Sequence, residues 1–217
     1  MKLVRGIERR LEQLVEGVAG RVFRGSLHPV EMAARIVREA DLGIVASPLG
    51  PVAPNEYAIR LNAADIADLT QPDRLNRELE AAIEETAAER GWRLEGPAHV
   101  WLEAAPGIGQ GRFEVATSTK AAPRRPWARL RSSDDAYEIS VNRSTVGRGD
   151  ETDVRIPVAS VSRTHCMIWQ EAGSTWVADL RSANGTYVNG ANAAVPVAVL
   201  HGDSVVLGAT PFSFEVV

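Results

Sequence analysis

Cysteine and lysine are nearly absent from this chain of 217 residues. Its one cysteine is Cys166, and its basic side chains are arginines apart from Lys2 and Lys120. A single cysteine allows neither an intramolecular disulfide nor a cysteine-based metal site, and it favours a reducing compartment. Long apolar runs are also missing: no stretch of about 18 apolar residues is present, so no membrane-spanning segment is predicted. Charged side chains interrupt the first residues, and we expect no signal peptide and a cytoplasmic location.

Neither sign of charge dominates the chain. It has 24 Lys and Arg against 28 Asp and Glu, which gives a formal net charge of −4. A protein built mainly to hold nucleic acid is expected to be basic, so this balance disfavours that class. The clearest exception is the short segment 118–135, which is polar, contains prolines and has more basic than acidic side chains. This composition predicts a linker.

The first part of the chain has helical spacing of its apolar residues. This spacing predicts an amphipathic helix over residues 4–24. Pro29 is expected to open a second helix, with His28 in a surface or capping role, because proline suits the first helical position. Prolines and a glycine in residues 46–54 predict a loop.

Helices and strands are both predicted before the linker. They are a strand, two helices and two strands, over residues 57–62, 63–69, 72–90, 98–103 and 111–117. Asn62 is expected to cap the first of these helices, and Gly91 to end the second. This order of elements predicts a small α+β domain over residues 1–117.

The spacing Gly107-x-Gly109-x-Gly111 resembles a phosphate-binding loop only superficially. No helix is predicted to follow it, and no Gly-Lys-Ser/Thr sequence is present, so the nucleotide-binding patterns fail on context. We expect a hairpin turn between two strands here.

After the linker the pattern changes to short strands divided by turns. Strands are predicted over residues 128–131, 137–141, 144–147, 154–156, 164–170, 175–180, 186–189, 195–199, 203–207 and 211–216. Many short strands without a helical period are typical of an all-β sandwich. The predicted domain covers residues 136–217, with a first strand that begins near residue 128.

Three short clusters fall in the predicted turns of this domain. They are Gly147-Arg148, Ser162-Arg163-Thr164-His165, and Ser182 to Thr186 followed by Asn189-Gly190. An arginine guanidinium can bind a phosphate through two hydrogen bonds, and a serine hydroxyl adds a neutral donor. Loops at the end of a rigid sandwich can hold such groups together. We expect Gly147 to allow a turn that places Arg148, and Gly185 to adopt a positive φ.

These clusters resemble the fork-head-associated (FHA) family, which recognises phosphothreonine in partner proteins. The matching segments are Gly147-Arg148, Ser162-Arg163-x-His165, Asn184-Gly185-Thr186-x-x-Asn189-Gly190, Leu200-x-Gly202-Asp203 and the last strand, residues 212–216. The resemblance implies that Arg148, Ser162 and Arg163 contact the phosphate and that Asn184 holds the peptide backbone. It also implies structural roles in the site for Gly147, His165, Gly185 and Asn189.

Ala183 departs from the family pattern, because many relatives have Ser or Thr at this position as a further donor. The phosphate site is then expected to depend more on the arginines, Ser162 and backbone amides, with weaker affinity but retained function.

The N-terminal part resembles a domain of actinobacterial FHA proteins. The similarity lies in helix 4–24, Leu27-His28-Pro29-Val30-Glu31, Val52-Ala53-Pro54-Asn55-x-Tyr57 and Gly111-x-Phe113-x-Val115. Those relatives act in Ser/Thr-kinase signalling around cell-wall synthesis, where they bind a kinase and the phosphorylated pseudokinase region of a membrane flippase. The resemblance implies a phosphothreonine-dependent adaptor with such a partner, without cofactor or enzymatic activity.

Simpler interpretations of single residues stay open. Arg148 could pair with Asp150 or Glu151, and Cys166 is expected to be a small apolar filler in a strand. The spacing of His, Cys and carboxylates predicts no metal site. The alternative function is a structural or nucleic-acid-associated protein that binds through the basic linker and the N-terminal helix.

Thr117 and Thr119, placed in the linker, are hypothesised phosphorylation sites.

Overall fold

A computed structural model describes residue 27 and residues 29–217. The helix predicted over residues 4–24 and the capping role of His28 lie outside the described residues. The chain divides into two units. The first consists of Met1–Ala46, Val52–Ala87 and Leu94–Ala122, and the second of Ser47–Pro51, Ala88–Arg93 and Pro123–Val217. Within the described part of the chain, no helix has both the length and the apolar character needed to cross a bilayer.

Three helices precede the linker in the described residues. They are α1 (Pro29–Leu42), α2 (Ala63–Ala67) and α3 (Pro72–Arg90). The Asn62 side chain caps α2 by accepting a hydrogen bond from the Ala64 N–H at 3.0 Å. Gly91 follows α3 with a φ of 65°, a conformation that glycine adopts without steric cost. The two predicted helix boundaries are therefore confirmed.

Five strands belong to the same part of the chain. They are β1 (Val45–Ser47), β2 (Gly50–Val52), β3 (Glu56–Leu61), β4 (His99–Ala104) and β5 (Phe113–Ser118). Strand β3 lies between β4, which runs parallel to it, and β5, which runs antiparallel. Helices and strands together confirm the predicted α+β class.

Three local predictions for this part were wrong. Residues 46–54 are not a plain loop, because β1 and β2 pair with each other. Residues 107–111 do not form a hairpin turn, because β3 separates β4 from β5 and the connection must pass across the end of β3. Thr117 is not in the linker: it lies in β5 opposite Tyr57. Thr119 follows the strand and is exposed.

The second unit is a sandwich of two β-sheets. Its strands are β6 (Ala128–Arg131), β7 (Ala136–Ile139), β8 (Ser144–Gly147), β9 (Val154–Arg155), β10 (Cys166–Glu171), β11 (Ser174–Asp179), β12 (Thr186–Val188), β13 (Ala191–Asn192), β14 (Val197–Val199), β15 (Ser204–Leu207) and β16 (Thr210–Val216). One sheet has the order β14-β11-β10-β8-β9, and the other has the order β13-β12-β15-β16-β6-β7. The predicted all-β sandwich is confirmed, and β13 is a strand that was not predicted.

The core of the sandwich is formed by apolar side chains from both sheets. Val146, Ile168 and Val177 come from one sheet, and Leu130 and Phe214 come from the other; all five are fully buried. Alternate residues of each strand face this layer. The packed layer holds the strand ends in place, and with them the loops that carry the predicted clusters.

Candidate functional site

Three loops of the sandwich meet through backbone hydrogen bonds. They follow β8, precede β10 and follow β11. The N–H of Arg148 donates to the carbonyl of Ser162 at 2.9 Å, and the N–H of Gly149 donates to the carbonyl of Arg163 at 3.0 Å. The N–H of Leu180 donates to the carbonyl of His165 at 2.8 Å. The predicted clusters, separate in sequence, are therefore adjacent in the fold.

Gly147 is needed for a reason that differs from the predicted one. It is the last residue of β8 and does not have a positive φ. A Cβ at this position would lie 2.1 Å from the carbonyl oxygen of Arg163. The strand and the loop before β10 pass too closely to accommodate a side chain. Glycine therefore permits this close approach, and no turn at this residue is involved.

His165 joins two of the loops from a fully buried position. Its Nδ1 accepts a hydrogen bond from the Ser162 N–H at 2.9 Å. Since Nδ1 accepts, the proton of the neutral ring lies on Nε2, which is 3.1 Å from the carbonyl oxygen of Gly185 and donates to it. Gly185 has a φ of 79°, in the left-handed region expected for it.

Asp179 organises the loop after β11 and was not identified from the sequence. Its carboxylate accepts hydrogen bonds from the Ser182 N–H at 2.9 Å, the Ser182 hydroxyl at 2.6 Å and the Thr186 hydroxyl at 2.7 Å. Burial alone would raise the pKa of Asp179. The hydrogen bonds from Ser182 and Thr186 outweigh burial, so its pKa lies below the ordinary value. An Asp followed three residues later by Ser is a recognisable turn signal that could have revealed it.

The Ser162 hydroxyl faces the loop that contains Ala183. Its oxygen accepts a hydrogen bond from the Ala183 N–H at 3.0 Å. A hydroxyl that accepts in this way still has its own proton to donate. Ala183 thus contributes to the site through its backbone, although its side chain has no donor.

An open cavity of about 990 Å³ lies over these loops. Its lining includes Arg148, Ser162 and Arg163 from the predicted site, together with Ala183 and with Arg181, which was not predicted. Arg148 and Arg163 are exposed. Within residues 27 and 29–217, neither guanidinium has a hydrogen bond or an ion pair. Both are therefore available to a ligand.

The charge of the lining suits an anion. Four arginines and two carboxylates line the cavity. Asp150 pairs with Arg155 at 3.0 Å. Among the described residues, neither Asp150 nor Glu151 pairs with Arg148, although both were predicted as alternative partners. A phosphate group carries a charge of about −1.5 to −2 and three acceptor oxygens, which the guanidinium groups of Arg148 and Arg163 and the Ser162 hydroxyl can match.

Asn184 and Asn189 do not line this cavity. The Asn184 amide nitrogen donates to the carbonyl of Ser160 at 3.0 Å, and this bond fixes the side chain while leaving its oxygen as an acceptor. Asn189 has a φ of 49°, and its side-chain oxygen accepts from the Ser204 N–H at 2.9 Å. Asn189 thus shapes the turn between β12 and β13.

Cys166 lacks the exposed environment of a reactive thiol. Cys166 is fully buried in β10, and burial raises the pKa of its thiol. Among the residues that the structure describes, no group of three or more His, Cys, Asp or Glu side chains could hold a metal ion.

Comparison with known protein families gives two matches. The model of the FhaA N-terminal domain matches residues 4–116, and the model of the FHA domain matches residues 144–208. Both resemblances drawn from the sequence are thereby confirmed.

Three individual proteins illustrate the similarity. FHA domain-containing protein FhaA of Mycobacterium tuberculosis is 33% identical over 116 residues, or 52% of this chain and 22% of that protein. The ABC transporter ATP-binding/permease protein Rv1747 of the same organism is 44% identical over 64 residues, or 29% of this chain and 7% of that protein. A structure solved in work on phosphothreonine-dependent FHA domain interactions has 29% identity and a TM-score of 0.38, and the match covers 42% of this chain and 96% of that one. The chain matches less than a quarter of either curated relative.

Proposed function

Because this chain belongs to the family of the FhaA N-terminal domain and also contains an FHA domain, we propose that it is a phosphothreonine-dependent protein-binding adaptor. It acts in bacterial Ser/Thr-kinase signalling that regulates cell-wall synthesis. Its role is binding, without catalysis or a cofactor.

One arrangement supports this proposal most directly. Arg148 and Arg163 present unpaired guanidinium groups at the same cavity as the Ser162 hydroxyl. Ionised donors make the stronger hydrogen bonds to phosphate oxygens, and a guanidinium can bind two of them at once. The backbone bonds among the three loops hold these donors before the ligand arrives, which lowers the ordering cost of binding.

Asn184 supplies the contact to the peptide main chain. Its side chain is held by the bond to Ser160, so its free amide oxygen is positioned to accept from a backbone N–H of the ligand. This contact orients the peptide on either side of the phosphothreonine without selecting its sequence.

The partner is a phosphorylated protein, either a Ser/Thr kinase or the phosphorylated pseudokinase region of a membrane flippase. Binding to such a partner recruits this chain from the cytoplasm to the membrane surface.

The proposal is tested by calorimetry of the full chain with a phosphothreonine peptide and with the same peptide carrying threonine or phosphoserine. We expect binding to the phosphothreonine form alone or most tightly. Arg148→Ala should weaken it by about 1.5–3 kcal/mol, the usual loss for a hydrogen bond to a charged group. Arg131→Ala is the control, because Arg131 is exposed and pairs with Glu215 away from the cavity. Equal binding of the unphosphorylated peptide, or an Arg148→Ala variant that binds like the original, contradicts the proposal.

The linker arginines give the nucleic-acid alternative little support, because one of them is already engaged within the protein. Arg124 donates to the carbonyl of Ser140 at 3.2 Å, and Arg125 is exposed. A gel-shift assay with DNA and RNA at modest salt should show no complex; a salt-sensitive complex would favour the alternative.

Phosphorylation of the chain itself remains a separate proposal. Thr119 is exposed and follows β5, whereas Thr117 is half-buried within that strand. A kinase needs an accessible, extended segment, so we propose Thr119 as the better acceptor, able to engage an FHA domain in cis or in trans. Mass spectrometry after kinase treatment tests this, and the absence of phosphate from both residues refutes it.

A further inference from the structure

Arg181 has an unusual backbone conformation. Four described residues other than glycine have a positive φ: Arg143 at 57°, Ala172 at 52°, Arg181 at 60° and Asn189 at 49°. In this conformation the Cβ crowds the backbone, so side chains other than those of Asn and Asp adopt it rarely and at a cost in stability. Each such residue therefore calls for a physical reason.

Two of the four are explained by tight turns. Ala172 and Gly173 join β10 to β11, and Asn189 and Gly190 join β12 to β13. A two-residue hairpin turn of the type that suits the twist of a sheet requires positive φ at both of its residues. Their conformations follow from the hairpins alone.

Arg143 is explained by its own side chain. Its guanidinium donates to the carbonyl of Gly91 and lies 3.4 Å from the carboxylate of Glu171. It also lies over the Trp169 ring, 5.5 Å from the ring centroid. These contacts, all within the second unit, offset the cost of the backbone conformation.

Arg181 has neither explanation. It lies inside the loop between β11 and β12, outside any hairpin turn of two residues. Its guanidinium is exposed and makes no hydrogen bond or ion pair with any residue that the structure describes. The residues on both sides are fixed, because Leu180 donates to the carbonyl of His165 and Ser182 donates to Asp179. The loop thus holds an unpaired cation at the cavity of Arg148 and Arg163.

We propose that Arg181 is a specificity-determining residue, which binds the carboxylate of an Asp or Glu near the phosphothreonine of the partner peptide. This inference rests on the proposed function. The phosphate is already matched by Arg148, Arg163 and Ser162, so a third unpaired guanidinium suits a second anionic group. Glu151, the other carboxylate of the lining, forms no ion pair with it among the described residues.

The test measures the affinity of the full chain for a set of phosphothreonine peptides. Each peptide has Asp at one flanking position and Ala at the others, and an all-Ala phosphopeptide is the reference. At one position, Asp should strengthen binding about fivefold, the upper range for an exposed ion pair. This gain should shrink as the salt concentration rises.

Three variants separate the contributions of charge and backbone. Arg181→Gly should abolish the Asp preference and leave the affinity for the all-Ala phosphopeptide within about twofold. Its thermal midpoint should be unchanged or higher, because glycine adopts positive φ without crowding. Arg181→Lys should keep part of the preference. Ala172→Gly, the matched control, relieves a similar conformation away from the cavity and should leave the affinity for every peptide unchanged.

The outcomes distinguish this inference from the proposed function. If the original chain binds phosphopeptides but shows no Asp preference, the inference is wrong and the proposed function stands. An equal loss for Asp and all-Ala peptides in Arg181→Gly also refutes it, because Arg181 would then act on the phosphate. If the original chain binds no phosphothreonine peptide at all, both are refuted.

Discussion

The backbone N–H of Ala183 donates a hydrogen bond to the side-chain hydroxyl of Ser162 across 3.0 Å. The two residues belong to different loops, one after β11 and one before β10. This bond orients the Ser162 hydroxyl while leaving its proton available. Ala183, which has no side-chain donor, therefore still orients the hydroxyl of Ser162 through its backbone.

Restoring a hydroxyl at residue 183 should strengthen phosphopeptide binding. Ala183 is exposed and lines the cavity, so Ala183→Ser adds a donor there without disturbing the backbone bond to Ser162. We expect a gain of about 0.5–1.5 kcal/mol, the usual net value of one hydrogen bond. Calorimetry with the phosphothreonine peptide measures it. Ala183→Val adds bulk without a donor, and an equal gain in that variant would show that the hydroxyl is not responsible.

Gly147→Ala should destabilise the sandwich strongly. The added Cβ would lie 2.1 Å from the carbonyl oxygen of Arg163, which is backbone and cannot move aside alone. Overpacking of this kind costs typically about 1–3 kcal/mol and sometimes more. Chemical denaturation measures the loss of unfolding free energy. Gly109→Ala is the matched control, since nothing lies within 4 Å of its added Cβ; similar losses in the two variants would contradict the close-approach explanation.

His165→Ala should lower stability and loosen the site. The substitution leaves the Ser162 N–H without its acceptor, and an unsatisfied buried group costs about 1–3 kcal/mol. It also removes one of two hydrogen bonds to the Gly185 carbonyl, which keeps the bond from the Gly208 N–H at 3.0 Å. We expect a lower unfolding free energy by denaturation and weaker phosphopeptide binding at temperatures where the variant is folded. His201→Ala, at an exposed position, should change stability by less than about 1 kcal/mol. Unchanged stability in His165→Ala would rule out the bracing role.

Acid should destabilise the sandwich partly through Asp179. The pKa of this carboxyl is held below its ordinary value of 3.8: burial opposes the shift, but the hydrogen bonds from Ser182 and Thr186 prevail. Its ionised form therefore stabilises the fold fully above the unfolded-state pKa, and this contribution is lost as the pH falls through the folded-state pKa. Unfolding free energy should be flat from neutral pH down to about pH 5 and then fall.

Asp179→Asn is expected to flatten that acid limb and to lower stability at neutral pH. Asp134→Asn is the control, because Asp134 is exposed between β6 and β7, and its pH profile should follow that of the original chain. Denaturation across a pH series measures all three. An unchanged acid limb in Asp179→Asn would show that other carboxyls carry the effect, such as Asp153. Burial opposes a shift at Asp153 as well, but hydrogen bonds from Arg93 and Thr145 hold its pKa below the ordinary value.

Much of the fold follows from local patterns. Asn62 before a helix and Gly91 after one act through their own backbone neighbourhoods, so they predicted the helix boundaries correctly. The alternation of apolar and polar residues and the turn residues predicted the sandwich for the same reason, because they too are local in sequence. Pairing of strands is not local: the position of β3 between β4 and β5, and the pairing of β1 with β2, depend on partners distant in sequence or on weak patterns.

The sequence by itself predicted Arg148, Ser162 and Arg163 as phosphate-binding residues from their clusters, and Ala183 as a position without a side-chain donor. Only the tertiary structure decided how those groups are held. The need for glycine at Gly147, the buried bridge made by His165 and the unpaired cation of Arg181 all arise where separate loops meet. Such contacts depend on distances between residues far apart in the chain, which no local pattern of residues encodes.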